Sequence, residues 1–230
     1  MNLDGVDVTI CDDAEGAASE VADELVAAAR EGQSIVLTGG SAPGRAYELA
    51  AEREPDWSAA TLWWGDERCV PPEDELSNYL LARTTLLEGL QGPPREVQRI
   101  RGELGPEPAA REYDQLLRGV QLELVLLGMG PDGHAASLYP DQPSLSERER
   151  RAIPAEAKLE PFVDRVTLTV PALCSAPVVL FIVTGESKAE AIERAFARPP
   201  SPAAPASLIR STEGRTRLVV DSAAAAGLPS

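Results

Sequence analysis

The sequence predicts an α/β protein with an open, mostly parallel, Rossmann-like sheet and helices on both faces. Short apolar runs of strand length alternate along the chain with longer segments whose apolar residues recur at helical spacing, which is typical of strands connected by helices. Several apolar runs end in glycine-rich turns, and open parallel sheets hold their ligands at the carboxyl ends of their strands. The length suits a single domain covering residues 1–230.

The N-terminal half alternates three predicted strands with three predicted helices. Its apolar runs are bounded by polar residues or glycine and have the length of buried strands. The segments between and after them have the apolar period of a helix. The expected strands are Val6–Ile10, Ser34–Thr38 and Thr61–Trp64, and the expected helices are about Ala14–Arg30, Gly44–Ala51 and Ser77–Leu90.

The C-terminal half continues the alternation with two interruptions. The segments Asp141–Glu160, rich in Pro, Arg and Glu, and Arg198–Pro205 are expected to be surface excursions. The small-residue tail after the last apolar run is uninformative about structure. The expected strands are Leu122–Leu127, Val163–Val170, Val178–Thr184 and Leu218–Val220, and the expected helices are Pro106–Arg118 and Glu186–Ala197.

The net charge disfavours two kinds of partner. At −16, it argues against nucleic acid or an anionic membrane, since both require a sizeable basic face. An anionic metabolite stays possible if positive charge is concentrated locally. Arginine supplies nearly all of that charge, because Lys158 and Lys188 are the only lysines.

The cysteines and the absence of long apolar runs predict the compartment. Cys11, Cys69 and Cys174 are widely spaced, with no CxxC pair and no histidine near enough to complete a zinc signature, so we expect free thiols and no metal. The first residues lack a basic region followed by an apolar core, and no run is long enough to span a bilayer. We therefore expect a cytoplasmic protein.

Three predicted strand ends carry the residues best suited to chemistry. They are Gly39-Gly40-Ser41, Gly65-Asp66-Glu67-Arg68 and the segment from Gly128 to His134. Because the carboxyl ends of parallel strands emerge at one edge of a sheet, these residues are expected to converge although they lie far apart in sequence.

His134 is the only histidine, and it follows a predicted strand in a glycine-rich turn. Histidine suits proton transfer near neutral pH, so His134 is the candidate general base. Asp132 or Asp66 could hold one ring nitrogen and leave the other free to accept a proton from water. A lone histidine is often only structural, but the neighbouring Asp132 and the exposed turn favour catalysis.

Two further segments favour an anion. The Gly39-Gly40-Ser41 loop opens a helix, where free backbone N–H groups and the helix dipole attract negative charge, although a tight turn with a serine cap is the structural alternative. Lys188 lies in the first turn of a predicted helix, where a lysine opposes the dipole and a bound anion would explain it. The structural alternative for Lys188 is a lysine exposed to solvent. For Asp66-Glu67-Arg68, the structural alternative to a functional role is a cluster of solvated charges.

Gly128, Gly130 and Gly133 match the GxGxxG spacing of dinucleotide-binding folds. Pro140 stops any long helix after them, and the polar stretch that follows supplies no second strand with a terminal acid. We therefore expect no nucleotide and no other cofactor.

Four blocks of sequence stand in order between Leu37 and Ile192. They read LTGGSAPGRAYELA, WWGDERCVPPEDELSNYLLA, LVLLGMGPDGHAASLYP and RVTLTVPALCSAPVVLFIVTGESKAEAI. Together they resemble the 6-phosphogluconolactonase family. The resemblance implies the open α/β fold shared with glucosamine-6-phosphate deaminase. It also implies a cytosolic, metal-free esterase that hydrolyses a sugar-phosphate lactone, 6-phospho-D-glucono-1,5-lactone, to 6-phosphogluconate in the oxidative pentose phosphate pathway.

The resemblance also implies roles for individual residues. His134, in the DGHxASL block, corresponds to the base that activates water. Arg68 would hold the substrate or its oxyanion, and Asp66 would orient groups beside it. The phosphate contacts correspond to the glycine-serine loop, the arginine that opens RVTLTVP and the lysine of GESKA, which are Gly39, Gly40, Ser41, Arg165 and Lys188.

The chain departs from the family pattern at two positions. Ala42 removes a side-chain hydroxyl after the glycine-serine loop, and Tyr139 stands where phenylalanine is frequent. In aminosugar phosphate deaminases a glutamate occupies the position of Tyr139, so that alternative lacks its proton relay. A non-catalytic sugar-phosphate sensor normally needs a DNA-binding module, for which too few residues precede the first loop. We expect a monomer or a weak homodimer.

Overall fold

A computed structural model describes residues 1–158 and 160–229, which form strands, helices and short 3₁₀ turns. The strands are β1 (Asn2–Leu3), β2 (Val6–Cys11), β3 (Ser34–Leu37), β4 (Thr61–Trp64), β5 (Asp66–Arg68), β6 (Glu96–Gln98), β7 (Leu124–Leu127), β8 (Ala152–Ala155), β9 (Arg165–Leu168), β10 (Val178–Val183) and β11 (Arg215–Asp221). The helices are α1 (Ala14–Arg30), α2 (Ser41–Arg53), α3 (Asn78–Thr85), α4 (Pro106–Leu116), α5 (Val170–Cys174) and α6 (Ala189–Phe196). The 3₁₀ turns are Leu87–Gly89, Gly102–Leu104, Pro143–Ser146, Glu186–Lys188, Pro205–Leu208 and Ala224–Gly227.

The larger sheet confirms the predicted fold class. Its strand order is β1-β2-β11-β10-β7-β3-β4-β6, and every neighbouring pair is parallel except β1 with β2. All four residues of β7 are buried. Successive side chains of a strand point to opposite faces, so a fully buried strand means that the centre of the sheet is covered on both sides.

The strand order creates a crevice between β3 and β7. These two strands are neighbours, but the chain leaves β3 toward β4 on one side and leaves β7 toward β10 on the other. The loops that follow the two strands therefore diverge. In open α/β sheets, this point of reversal is where ligands bind, outside the carboxyl ends of the strands.

Two buried tyrosines close neighbouring strands at this edge. The hydroxyl of Tyr47 on α2 accepts from Thr38 N and donates to Thr38 O, both at 2.8 Å. The hydroxyl of Tyr113 on α4 likewise bonds Trp64 N at 2.8 Å and Trp64 O at 3.1 Å. Because each phenol satisfies both backbone groups at the end of a strand, the chain can leave the sheet there without burying an unpaired polar group.

A second, three-stranded antiparallel sheet, with the order β5-β9-β8, corrects three predictions. The prediction of Val163–Val170 as a strand of the parallel sheet is wrong, because β9 is shorter and belongs to this sheet. The segment Asp141–Glu160 is not wholly a surface excursion, because it contains the mostly buried β8. The residues of β5 form a strand themselves instead of a loop after β4. Short strands stabilised by cross-strand neighbours have too few residues for a periodic signal.

Several predicted boundaries also shift. The helix expected over Ser77–Leu90 ends at Thr85 and continues as a 3₁₀ turn. The helix expected over Glu186–Ala197 begins with the 3₁₀ turn Glu186–Lys188. The tail, which carries no helix or strand pattern, extends β11 to Asp221 and then forms the turn Ala224–Gly227.

Candidate active site

A cavity of about 480 Å³ lies at the carboxyl ends of β3, β7 and β10, at the predicted edge of the sheet. Residues from all three predicted strand ends line it, and the small sheet supplies another part of the wall. Asp132 does not line the cavity but contacts a residue that does. The predicted site residues that line it are Gly39, Gly40, Ser41, Asp66, Arg68, His134, Arg165 and Lys188.

A tight loop fixes the position of His134. Gly130 N donates to His134 O at 2.9 Å, and Gly133 N donates to Gly130 O at 3.0 Å. A Cβ added to Gly130 would lie 2.1 Å from two atoms of the imidazole, so only glycine fits beneath the ring. Gly133 has φ +88°, a conformation that glycine adopts readily. No long helix follows this loop, as the prediction from Pro140 expected.

Asp132 holds the imidazole of His134. Its Oδ1 lies 2.6 Å from His134 Nδ1 and also accepts from His134 N at 3.1 Å. Burial raises the pKa of Asp132, but the hydrogen bond and the charge of His134 outweigh burial and lower this pKa below its usual value. An ionised carboxylate requires the proton of the ring to lie on Nδ1, which leaves the lone pair of Nε2 available to accept a proton.

Asp66, the other candidate partner of His134, has different partners in the structure. Its carboxylate accepts from Ser137 Oγ at 2.6 Å and from Asn78 Nδ2 at 3.1 Å. The same amide of Asn78 donates to Asp66 O at 2.9 Å. The side chain of Asp66 is therefore fixed from two directions while it lines the cavity.

Glu67 is not a solvated charge. Only 3% of the residue is exposed, and its carboxylate accepts from the backbone N of Arg68, Asn78 and Tyr79 and from Ser77 Oγ. Burial raises the pKa of Glu67 despite these donors. By binding the first N–H groups of α3, Glu67 holds this helix, and with it Asn78, against β5. The solvated-cluster alternative is thus wrong for both Asp66 and Glu67, which are buried.

Arg68 and Arg165 are direct partners across the antiparallel pair β5 and β9. Neither forms an ion pair with a carboxylate in the described parts of the chain, and the Nε of each has no hydrogen-bond partner there. Like charges directly opposite each other in a sheet are destabilising. Two guanidinium groups paired in this way beside a cavity are suited to an anion.

Lys188 adds a third cation to the wall. It is the last residue of a 3₁₀ turn and the N-cap of α6, close to its predicted place in the first turn of a helix. Its Nζ donates to Met129 O at 2.8 Å, and it has no ion pair among the residues described. Burial lowers the pKa of Lys188, and the charge of Asp132 opposes this effect.

The glycine-serine loop leads into α2 without a side-chain cap. Gly40, with φ +112°, is the N-cap residue, and Ser41 is already the first residue of the helix, so the serine-cap alternative is wrong. The first N–H groups of a helix have no partner within it, and here they lie beside the cavity. A Cβ on Gly39 would lie 2.0 Å from Asn78 Oδ1, so this glycine permits close contact with α3.

Two residues that shape the site went unnoticed in the sequence, and a third, Tyr139, was noticed only as a departure from the family pattern. Asn78 and Ser137 hold Asp66, and the ring of Tyr139 lies between His134, at 5.0 Å between ring centroids, and Arg165, at 6.0 Å from Cζ. A serine and an asparagine beside a helix start or a turn usually act as local caps. No pattern in the sequence distinguishes them from such caps, because both contacts with Asp66 are long-range.

The described residues contain neither a cluster of metal ligands nor a membrane-spanning helix. Within residues 1–158 and 160–229, no group of three or more His, Cys, Asp or Glu side chains is arranged to hold a metal ion. In the same residues, no helix has the length and hydropathy needed to span a bilayer.

Known proteins resemble this chain over nearly its whole length. The family model described as glucosamine-6-phosphate isomerases/6-phosphogluconolactonase matches residues 12–218. A 6-phosphogluconolactonase of Streptomyces coelicolor is 36% identical over 94% of this chain and 90% of its own, and that of Homo sapiens is 39% identical over 87% and 82%. The crystal structure of 6-phosphogluconolactonase from Thermotoga maritima has a TM-score of 0.80 and 27% identity, covering 94% of this chain and 100% of its own.

The matched region contains β3, β7 and β10 and all the predicted site residues. The match therefore spans every segment of the chain that supplies a predicted site residue. The chain belongs to the family of glucosamine-6-phosphate isomerases and 6-phosphogluconolactonases.

Proposed function

We propose that this chain hydrolyses 6-phospho-D-glucono-1,5-lactone to 6-phosphogluconate, a reaction of the oxidative pentose phosphate pathway. The proposal depends on two features of one cavity. His134 lines it and is held by Asp132 at 2.6 Å. Arg68, Arg165 and Lys188 line it too, and none of them has a carboxylate partner in the described residues. The first feature is suited to activating water, and the second to binding a phosphorylated substrate. The relatives named 6-phosphogluconolactonase support this choice of substrate.

His134 acts as the general base in this mechanism. Its Nε2 takes a proton from water while the water oxygen forms a bond to C1 of the lactone, and the carbonyl oxygen becomes an oxyanion. Breaking the bond between C1 and the ring oxygen then opens the ring, and His134 returns the proton to that oxygen as it becomes a hydroxyl. General acid–base assistance of this kind contributes about 100- to 10,000-fold.

The remaining residues bind and orient the substrate. Arg165, Lys188 and the first N–H groups of α2, beside Gly39, Gly40 and Ser41, bind the phosphate, which fixes C1 relative to His134. Arg68 stabilises the oxyanion, and Asp66 orients the groups beside it. These roles are parts of the proposal, supported by the place of each residue in the cavity wall.

The direct test generates the lactone in situ from glucose 6-phosphate and follows acid release with and without the protein. We expect acceleration over spontaneous hydrolysis, and His134→Ala should lower kcat by about 100- to 10,000-fold with little change in KM, since the base acts mainly in the transition state. A chelator should leave the rate unchanged. Full turnover by His134→Ala would contradict the proposed base.

The same protein also tests the alternatives. If the lactone is not hydrolysed, ammonia release from glucosamine 6-phosphate would indicate the deaminase. Binding of the sugar phosphate without turnover of either substrate would indicate the sensor. Tyr139, which is not a carboxylate, argues against the deaminase.

We further propose that residues 1–230 act as one cytoplasmic domain without a cofactor, as a monomer or weak homodimer. Three free cysteines favour a reducing compartment. In the described residues, the large exposed apolar side chains are scattered over different elements, which favours weak self-association. Sedimentation across a range of concentrations tests the oligomeric state.

A further inference from the structure

Asp221, the last residue of β11, is a buried acid near the cavity whose role the proposed mechanism does not assign. Only 6% of the residue is exposed. In the parallel pair of β10 and β11, the last residue of β10, Val183, is opposite Val220. Asp221 therefore lies beside the loop that follows β10. Gly185 N lies 3.0 Å from both Asp221 Oδ1 and Oδ2, and Ala224 N donates to Oδ1 at 2.8 Å.

These bonds fix the start of the segment that carries Lys188. Gly185, with φ +94°, is the N-cap of the 3₁₀ turn Glu186–Lys188, and Lys188 N donates to Gly185 O at 3.0 Å. The carboxylate of Asp221 therefore holds this turn at its N-cap residue. The cation at its last residue projects to Met129 O.

The C-terminal turn Ala224–Gly227 packs against the residue that follows Lys188. A Cβ on Gly227 would lie 1.9 Å from Ala189 O, so the two backbones are in direct contact and only glycine fits. Ala189 is the residue after Lys188. The same carboxylate that binds Gly185 also binds Ala224 at the start of this turn, so one side chain connects both supports.

We propose that Asp221 is a positioning residue for phosphate recognition, acting through Lys188 together with the C-terminal turn Ala224–Gly227. Asp221 does not line the cavity, and its bonds go to backbone N–H groups, so it orients the loop without touching substrate. The region matched by the family model ends at residue 218, before Asp221. This inference rests on the proposed role of Lys188 in binding phosphate.

The test compares the phosphorylated lactone with glucono-1,5-lactone, which lacks the phosphate. Asp221→Asn keeps the shape of the side chain but places an amide donor among backbone donors. We expect its KM for the phosphorylated lactone to rise by about 5- to 30-fold, as for a loss of one or two kcal/mol. Its kcat and its kinetics on the unphosphorylated lactone should stay near wild type.

Three further variants make the result decisive. Lys188→Ala should also raise KM for the phosphorylated lactone and not for the unphosphorylated one. The double variant with Asp221→Asn should have a KM no higher than that of Lys188→Ala alone, because the two residues act as one unit. Gly227→Ala, which disturbs the other support, should also raise KM selectively, and it replaces Asp221→Asn if that protein does not fold. Asp13→Asn is the control, since Asp13 caps α1 through Gly16 N outside the cavity.

The outcomes separate this inference from the proposed function. If Lys188→Ala loses phosphate preference but Asp221→Asn and Gly227→Ala only lower the melting temperature, or affect both lactones equally, Asp221 is merely structural and the inference is wrong. If Lys188→Ala keeps full phosphate preference, the proposed role of Lys188 is wrong, and the inference fails with it.

Discussion

Ser137 Oγ donates a 2.6 Å hydrogen bond to Asp66 Oδ2, which joins the DGHxASL block to the GDER block across 71 positions of sequence. Both side chains are buried. The bond fixes an aspartate of the cavity wall relative to the loop of the proposed base. Asn78 binds the other oxygen of the same carboxylate, so α3 is part of this arrangement.

Ser137→Ala should lower both stability and activity. The change leaves a buried carboxylate oxygen without its donor, which costs about 1–3 kcal/mol. Thermal unfolding should detect this loss, and kcat/KM for the lactone should fall because Asp66 keeps only Asn78 as a side-chain partner. Ser146→Ala, an exposed serine in the turn Pro143–Ser146, should change neither quantity. Equal behaviour of the two variants would show that Ser137 does not hold Asp66.

Gly39→Ala should impair activity through Asn78. The new Cβ would lie 2.0 Å from Asn78 Oδ1, so the amide must move and its two bonds to Asp66 must break. We expect kcat/KM to fall by about tenfold or more, which corresponds to roughly 1.4 kcal/mol of transition-state stabilisation. In the control Gly89→Ala, the atom nearest to the new Cβ is Ala51 Cβ at 3.5 Å, an ordinary van der Waals distance, so activity should be unchanged. Full activity of Gly39→Ala would mean that the contact is easily relieved.

Asp132→Asn should lower kcat much more than it changes KM. An asparagine can donate to Nδ1, which favours the tautomer with the proton on Nε2 and removes the base. We expect a loss of about 100-fold or more, within the range typical of acid–base catalysis. Because both residues serve one step, the double variant with His134→Ala should be no slower than His134→Ala alone. Additive losses would indicate that Asp132 has a separate role.

Product binding should weaken at alkaline pH because of Lys188. Burial lowers the pKa of Lys188, with the charge of Asp132 opposing, so its ammonium loses the proton at a lower pH than an ordinary lysine. Inhibition by 6-phosphogluconate should therefore weaken as the pH rises, and this decline should begin at a lower pH than the usual pKa of a lysine would give.

The chain's two lysines provide the comparison for this prediction. Lys188→Arg keeps the charge to much higher pH and should remove the alkaline decline. Lys158→Arg, which changes an exposed residue paired with Glu156, should retain the decline. A decline that persists in Lys188→Arg would mean that another group causes it.

Much of the large sheet was predictable because its signals are local. The helix Ala14–Arg30 and the strand Thr61–Trp64 are observed at their predicted bounds, since each carries its own apolar period and is ended by polar or glycine residues. The Gly39-Gly40-Ser41 loop and the turn of His134 were identified because the carboxyl ends of parallel strands share one edge.

The small sheet was not predictable in this way. Strands β5 and β8 have three and four residues, and β8 contains Pro154, so neither carries a strand pattern of its own. Their structure depends on β9, which lies between them. The direct pairing of Arg68 with Arg165 is a property of this register and appears nowhere in the linear sequence.

The sequence by itself determined the class of fold, the edge of the sheet where a site forms and the residues able to transfer protons or bind anions there. Those properties follow from periodicity and from side-chain chemistry, which each segment carries alone. Only the tertiary structure decided that Asp132 rather than Asp66 holds His134, that Ser137 and Asn78 hold Asp66, and that Asp221 holds the loop of Lys188. Hydrogen bonds depend on distance and direction between groups, and for the long-range pairs only the packed fold brings those groups within reach.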